Sequence, residues 1–217
     1  VSGGNPDLKA TTSAHLDCTA EYYLKAIGLF SAGYFRKNLE GPIYRRMYDG
    51  VYEGRPARFT VFDNAGQARL SGCEFTYQHQ LSFLPGPLDG LGLNANYTLV
   101  GSAVVLTEPG REGEKLPLFN QSRQLGNLAL TYQKHGVFVR LAHNWRGDYL
   151  ATLASAGLDQ YARGFQSYDL LASYQLHPRW TVKLEASNLE AAPEQQFAGT
   201  SRRNLYYGST GRSYAFG

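Results

Sequence analysis

The chain has 217 residues, enough for one domain with a sizeable core, and a net charge of +3, too small to point to nucleic acid or a strongly acidic partner. Only 18% of residues are charged, against about 25% in an ordinary soluble domain. Abundant glycine (24) and tyrosine (16) favour strands over helices, and the 13% aromatic content excludes disorder. No run of 18 apolar residues exists, so no transmembrane helix is expected. The start, Val1-Ser2-Gly3-Gly4-Asn5-Pro6, lacks the features of a secretory signal and an initiator Met, so the chain reads as a processed or excised piece.

Period-two alternation recurs nearly end to end and predicts strands. Leu16, Cys18, Ala20, Tyr22 and Leu24 alternate with His15, Asp17, Thr19, Glu21 and Tyr23. A less regular strand is expected at about Leu29–Asn38. Cys73, Phe75, Tyr77, Leu81 and Phe83 then oppose Glu74, Thr76, Gln78, Gln80 and Ser82, with His79 intruding on the apolar set. Leu91, Leu93, Ala95, Tyr97 and Leu99 follow, then Gly126, Leu128, Leu130 and Tyr132. Val137, Val139, Leu141, His143 and Trp145 face away from Phe138, Arg140, Ala142, Asn144 and Arg146. Tyr168, Leu170, Ala172, Tyr174 and Leu176 come next, and Trp180, Val182, Leu184 and Ala186 after them. A ninth strand is expected at about Asn204–Gly217.

The connections alternate in length. Short ones fall at Lys25–Gly28, Leu84–Gly90, Lys134–Gly136 and His177–Arg179, each with Gly or Pro turn chemistry. Long ones fall at about Leu39–Ala68, Leu106–Gln121, Gly147–Gly164 and Glu190–Arg203. Short turns at one end and long loops at the other are the signature of a transmembrane antiparallel β-barrel. Aromatic residues gather at the strand ends, as interfacial girdles would. Arg140, Asp169, Lys183 and Glu185 lie on the polar faces of three consecutive strands, where opposite charges can pair across a wet lumen. A soluble sandwich or up-and-down barrel also alternates, but its apolar set would face a dry core.

Several segments resemble the C-terminal part of TonB-dependent outer-membrane receptors. They are Gly4-Asn5-Pro6-Asp7-Leu8-Lys9; Leu81-Ser82-Phe83-Leu84-Pro85-Gly86-Pro87-Leu88-Asp89-Gly90-Leu91-Gly92-Leu93; Asn94-Ala95-Asn96-Tyr97-Thr98; Leu116-Pro117-Leu118-Phe119-Asn120-Gln121-Ser122; Ala186-Ser187-Asn188-Leu189; and Gly211-Arg212-Ser213-Tyr214. Several are most similar to receptors of Caulobacter and Xanthomonas type, some of which take up carbohydrates. The resemblance implies a 22-stranded barrel in the bacterial outer membrane, plugged by an N-terminal domain and importing a scarce nutrient such as a ferric siderophore or oligosaccharide. It implies as partners outer-membrane lipid, the nutrient ligand, TonB through the N-terminal region, and the barrel-assembly machinery. A chain that begins and ends on downward strands fits the last nine of an even barrel, so residues 1–217 are expected to lack the plug and the earlier strands. The family usually closes on an aromatic residue, whereas this chain stops at Ala215-Phe216-Gly217, so a few residues with the assembly signal are expected to be missing.

Ligand contacts are expected from the long loops. The longest carries Tyr44, Arg45, Arg46, Tyr48, Tyr52, Arg55, Arg58, Phe59 and Phe62, balanced by Glu40, Asp49, Glu53 and Asp63. Arginine forks suit carboxylate or phosphate, and aromatic faces suit sugar rings or catecholates. Further candidates are Asn144, Arg146, Tyr149, Tyr161 and Arg163, with Arg202, Arg203 and Tyr206. The five histidines lack metal-ligand spacing, and no paired carboxylates or nucleophile elbow point to an enzyme or a cofactor. Cys18 and Cys73, two strands apart on apolar faces, are too distant for a disulfide. A passive porin and, from another class, an outer-membrane hydrolase with its site in the loops are the alternatives.

Overall fold

The computed structural model describes residues 1–25, 27–155 and 157–217. Ala26, within the expected turn Lys25–Gly28, and Ala156, within the expected connection Gly147–Gly164, lie outside the described residues.

In chain order the strands are β1 (Thr12–Leu24), β2 (Gly28–Glu40), β3 (Ile43–Tyr52), β4 (Arg55–Asn64), β5 (Gln67–Gln80), β6 (Leu91–Val105), β7 (Lys115–Leu116) and β8 (Gln124–Lys134). The second half holds β9 (Val137–Arg146), β10 (Tyr149–Thr152), β11 (Gln160–Ala162), β12 (Phe165–His177), β13 (Trp180–Ser187), β14 (Glu194–Ala198), β15 (Asn204–Gly208) and β16 (Ser213–Phe216). Nine of them form one antiparallel wall in the order β1-β2-β5-β6-β8-β9-β12-β13-β16, with β7 appended to β6. The expected count of nine is therefore observed. β1 and β16 end the path, so the sheet is not closed within this chain.

Because side chains alternate across a strand, the register sorts the wall into two faces. One row across six strands reads Leu93, Leu130, Leu141, Leu170, Ala186 and Tyr214. A row of the opposite parity reads Ser31, Thr76, Asn96, Asn127, Asn144 and Ser167. Hydrogen bonds run along the polar row. Thr76 donates to Asn96 at 3.0 Å, Asn127 to Asn144, and Asn144 to Asp169 at 3.2 Å. The expected cross-strand charge pairing is not found among the described residues. Lys183 pairs instead with Glu185 within β13, and Asp169 is occupied by Asn144 and the Asn188 backbone amide.

On the apolar face, aromatic rings collect where β8, β9 and β12 approach the long connections. His143 stacks on Tyr168 at 4.2 Å and on Trp145 at 5.0 Å, and Tyr97 lies 6.3 Å from Trp145. The indole occupies the place where a Cβ on Gly126 would sit, so the missing side chain at residue 126 is what lets the ring lie across β8. Cys18 and Cys73 are free and lie on either side of Tyr34 in one cross-strand row.

The wall is one layer thick, and among the described residues no second layer covers either side at mid-strand. Large side chains such as Leu16, Tyr22 and Trp180 are therefore exposed. The buried cluster sits instead at the end with the long connections, where Tyr44, Val104, Leu106, Phe119, Leu150 and Leu153 pack together.

That end corrects two expectations. The span Leu39–Ala68 is not an irregular loop: β2 and β5 extend into it, and β3 pairs with β4 from Ile43↔Asn64 to Tyr52↔Arg55. The hairpin turns at Glu53-Gly54, both with positive φ (48° and 76°), which matches the twist of the flanking strands. The expected ninth strand divides, with β15 joining a small sheet β10-β11-β14-β15 and only β16 reaching the wall.

Candidate functional site

The β3–β4 hairpin, the small sheet and the Leu106–Ser122 connection together form a cap at this end. Backbone hydrogen bonds link its parts. Met47 donates to the Leu153 carbonyl at 2.8 Å and Leu153 to Arg45 at 3.0 Å, so the hairpin continues toward β10. On its other side, Thr60 donates to Val1 at 2.9 Å.

A buried ion cluster locks the cap. Arg111 (8% exposed) makes two bonds to Asp159 (5% exposed) at 2.7 and 2.8 Å, and two to Glu114 at 2.7 and 2.8 Å. Asp159 also accepts the Ala154 amide at 3.0 Å, and Arg111 donates to the Ala154 carbonyl at 2.9 Å. Hydrogen bonds from Arg111 to Glu114 and then Asp159 raise the guanidinium above its usual range, and the same bond to Arg111 lowers the Glu114 carboxyl. Arg111 and Asp159 are 48 residues apart in sequence, so no local pattern announces their pairing.

Beside this lock stands Arg46, 3.6 Å from Glu108 and 3.8 Å from Asp63, with its guanidinium carbon 4.8 Å from the Tyr48 ring centroid. Nε of Arg46 and Oε2 of Glu108 are buried and make no hydrogen bond among the described residues. Burial raises the Glu108 carboxyl despite Arg46 and Arg111.

The sequence candidates divide by environment. Tyr44 is 2% exposed and stacks on Phe119 at 4.6 Å, and burial, with Glu108 and Asp63 nearby, pushes its phenol up to about 12. Its ring is part of the cap core and offers no open face. Tyr48 is exposed and stacks on Phe59 at 5.2 Å. Arg58 is ion-paired with Asp49 at 2.9 Å, Arg45 is exposed on β3, and Tyr52 and Arg55 face each other beside the hairpin turn. Met47, Tyr48, Asp49 and Arg58 border Leu158 and Leu205 around a cavity of about 150 Å³.

A second recess, about 500 Å³, brings together Tyr149, Tyr161, Phe197, Arg123 and Asp148. Arg146 lies over the Tyr149 ring at 5.0 Å, and Arg163 over Phe197 at 5.5 Å while donating to the Ser201 carbonyl at 2.8 Å. Arg202 and Arg203 are exposed at the β14–β15 turn. Arg123, Asp148 and Phe197 were not expected from sequence, because they come from three distant places in the chain: the approach to β8, the β9–β10 link and strand β14. Among the described residues no group of three His, Cys, Asp or Glu could hold a metal ion. The cap offers aromatic faces, guanidinium groups and carboxylates around open recesses, which is equipment for binding a polar ring-bearing ligand.

Comparison with solved structures places this architecture. The FrpB iron transporter from Neisseria meningitidis is similar with a TM-score of 0.62 at 13% identity, over 100% of this chain and 31% of that one. The ferric-catecholate import receptor Fiu from E. coli K12 gives 0.66 at 15% identity, over 98% and 28%. The siderophore receptor PiuA from Acinetobacter baumannii gives 0.62 at 17%, over 95% and 28%. The chain thus spans about 30% of the length of these receptors, and identities this low speak for the fold alone. No curated protein sequence matches the chain. The family described as TonB dependent receptor-like, beta-barrel, whose members and structural neighbours are receptors and transporters, matches residues 1–189, and the chain belongs to that family.

Proposed function

We propose that the chain is the C-terminal part of a barrel through which a Gram-negative cell imports a scarce nutrient across its outer membrane, energised by TonB. In this reading the apolar face of the wall meets lipid and the polar face lines the lumen. The preceding strands and the plug belong to the same receptor upstream, the cap is extracellular, and the barrel-assembly machinery inserts the whole. The observation that carries it is that the apolar row, Leu93 to Tyr214, and the polar row, Ser31 to Ser167, take opposite faces of the wall while Leu128, Leu130 and Leu141 on the apolar side stay exposed, where a dry-cored fold would bury them.

The substrate class we favour is a ferric siderophore. The similar structures are of iron-complex receptors, and the cap sets arginines beside aromatic rings, suited to anionic or catecholate ligands. An oligosaccharide is the second reading, supported by the resemblance to receptors of Caulobacter and Xanthomonas type and by the same ring-stacking surfaces. The test deletes the whole receptor gene and compares growth on ferric siderophores under iron limitation with growth on oligosaccharides as sole carbon source. Loss of one phenotype, restored by the intact receptor and abolished in a TonB-deficient strain, is expected. Full growth in the deletion strain across both panels would refute the import reading.

A further inference from the structure

On the apolar face, charge without an ion-pair partner among the described residues gathers in one place; Lys134, at the short-turn end of β8, is paired with Asp89. Along β2 the residues of that face are Phe30, Ala32 and Tyr34, and the next is Arg36. Along β5 they run from Tyr77 through Phe75, Cys73 and Ser71 to Arg69. The carboxylates of the neighbouring strands, Asp17, Glu21 and Glu74, take the opposite parity. Arg36 is level with Leu16 and Ser71, and Arg69 with Asn38 and Ala103. The two arginines are therefore diagonal neighbours on adjacent strands, a separation of roughly 7–8 Å between backbones. Lys115, paired with Val105, carries the same face onto β7.

Arg36, Arg69 and Lys115 are all exposed, and among the described residues none of them enters an ion pair. The acid on this face at that level is Glu40, beside Gln67, which leaves the patch positive. Two unpaired guanidinium groups on neighbouring strands repel each other unless an anion lies between them. Trp145 shares its row with Gly126, Tyr97, Phe75 and Ala32, so along β2 Arg36 lies four residues beyond the outer aromatic cluster, toward the long connections.

We propose that Arg36 and Arg69, assisted by Lys115, bind the phosphate-bearing headgroup of a lipid, an inference that rests on the reading that the apolar face meets the bilayer. Guanidinium forks match phosphate oxygens, and basic side chains at a membrane surface attract anionic headgroups. Tyr34, Cys73 and Leu99, the row on the near side of the patch, supply an apolar track for the acyl chains. A free phosphate would share the arginines but gain nothing from that track, so the site is assigned to a lipid.

The test uses the full-length receptor, delipidated in a neutral detergent and titrated with phosphorylated lipid A, with dephosphorylated lipid A and with inorganic phosphate. Native mass spectrometry counts bound lipid. Phosphorylated lipid should bind, and the Arg36→Gln/Arg69→Gln double variant should bind it at least about tenfold more weakly. The Arg36→Lys/Arg69→Lys variant should recover part of the loss. Heat-modifiable gel mobility confirms that each variant is folded. Equal binding of dephosphorylated lipid, saturation by inorganic phosphate alone, or unchanged affinity in the folded double glutamine variant overturns the lipid site. Recovery of the receptor outside the outer-membrane fraction would instead refute the membrane reading and the lipid site with it.

Discussion

Asp159→Ala should loosen the cap without unfolding the wall. The carboxylate is 5% exposed and accepts three hydrogen bonds, two from Arg111 and one from the Ala154 amide. Removing one partner of a buried ion pair costs about 3–5 kcal/mol, because the other charge is left buried. Here Arg111 keeps Glu114, whose side chain is 40% exposed and still hydrated, so the low end applies, about 3 kcal/mol. An opening equilibrium shifted that far speeds exchange by roughly a hundredfold. Hydrogen exchange on the intact receptor should therefore show faster exchange at Ala154 and at the linking amides of Met47 and Leu153. Amides of β8 and β9 should keep their protection, since the cluster shares no hydrogen bond with them. Asp159→Asn, which can still accept at one oxygen, should fall between the two. Unchanged exchange at Ala154 and Leu153 in the alanine variant would show that the ion cluster does not hold the cap, and the energetic argument would fail.

Further expectations follow from the faces and the cap. Leu141→Arg, on the apolar row, should cost about 2–4 kcal/mol in the intact receptor, and Thr131→Arg on the polar face much less; urea unfolding from vesicles would show the order, and the reverse order would favour a dry-cored fold. Gly126→Val should displace the Trp145 ring and destabilise the wall by about 1–3 kcal/mol, visible as a lower heat-modification temperature together with changed tryptophan emission. Glu108 has a raised carboxyl pKa, so its burial disfavours the closed cap at neutral pH and less so as pH falls through its folded value. Glu108→Gln should accordingly leave the cap at least as protected near neutrality, with the difference vanishing in acid, as exchange at two pH values would reveal. Tyr48→Ala should weaken ligand binding by more than about 1 kcal/mol, five- to tenfold in Kd, and unaltered calorimetric affinity would move the site toward the Tyr149–Phe197 recess.

The wall was legible in the sequence because each strand sorts mainly apolar side chains to one face and mainly polar ones to the other, which writes a period of two. Leu128, Leu130 and Leu141 share one face, and Asn127, Thr131 and Arg140 the other, as alternation alone required. The β3–β4 hairpin escaped because its two sides are both mixed. Tyr44 packs into the core while Arg46 and Tyr48, of the same parity, meet carboxylates and an exposed ring, so no clean alternation survives. The Arg111–Asp159 pair escaped for a different reason: contacts across 48 residues leave no trace in local spacing. The candidate residues were legible only as chemical types on long connections. Burial, which separates Tyr44 from Tyr48, depends on how those connections pack against one another.

The two tryptophans stand at opposite ends of the wall. Trp180 opens β13 directly after the short turn and pairs with His177, whereas Trp145 lies near the far end of β9, packed between Tyr97 and His143. Each end of this sheet thus carries its own natural fluorophore, one open to its surroundings and one held in a ring stack. With Trp180→Phe and Trp145→Phe as single-reporter versions, quenchers placed at known bilayer depths would time the arrival of each end during the insertion proposed above. The order of assembly, turns first or cap first, could then be read from emission alone, without an introduced label.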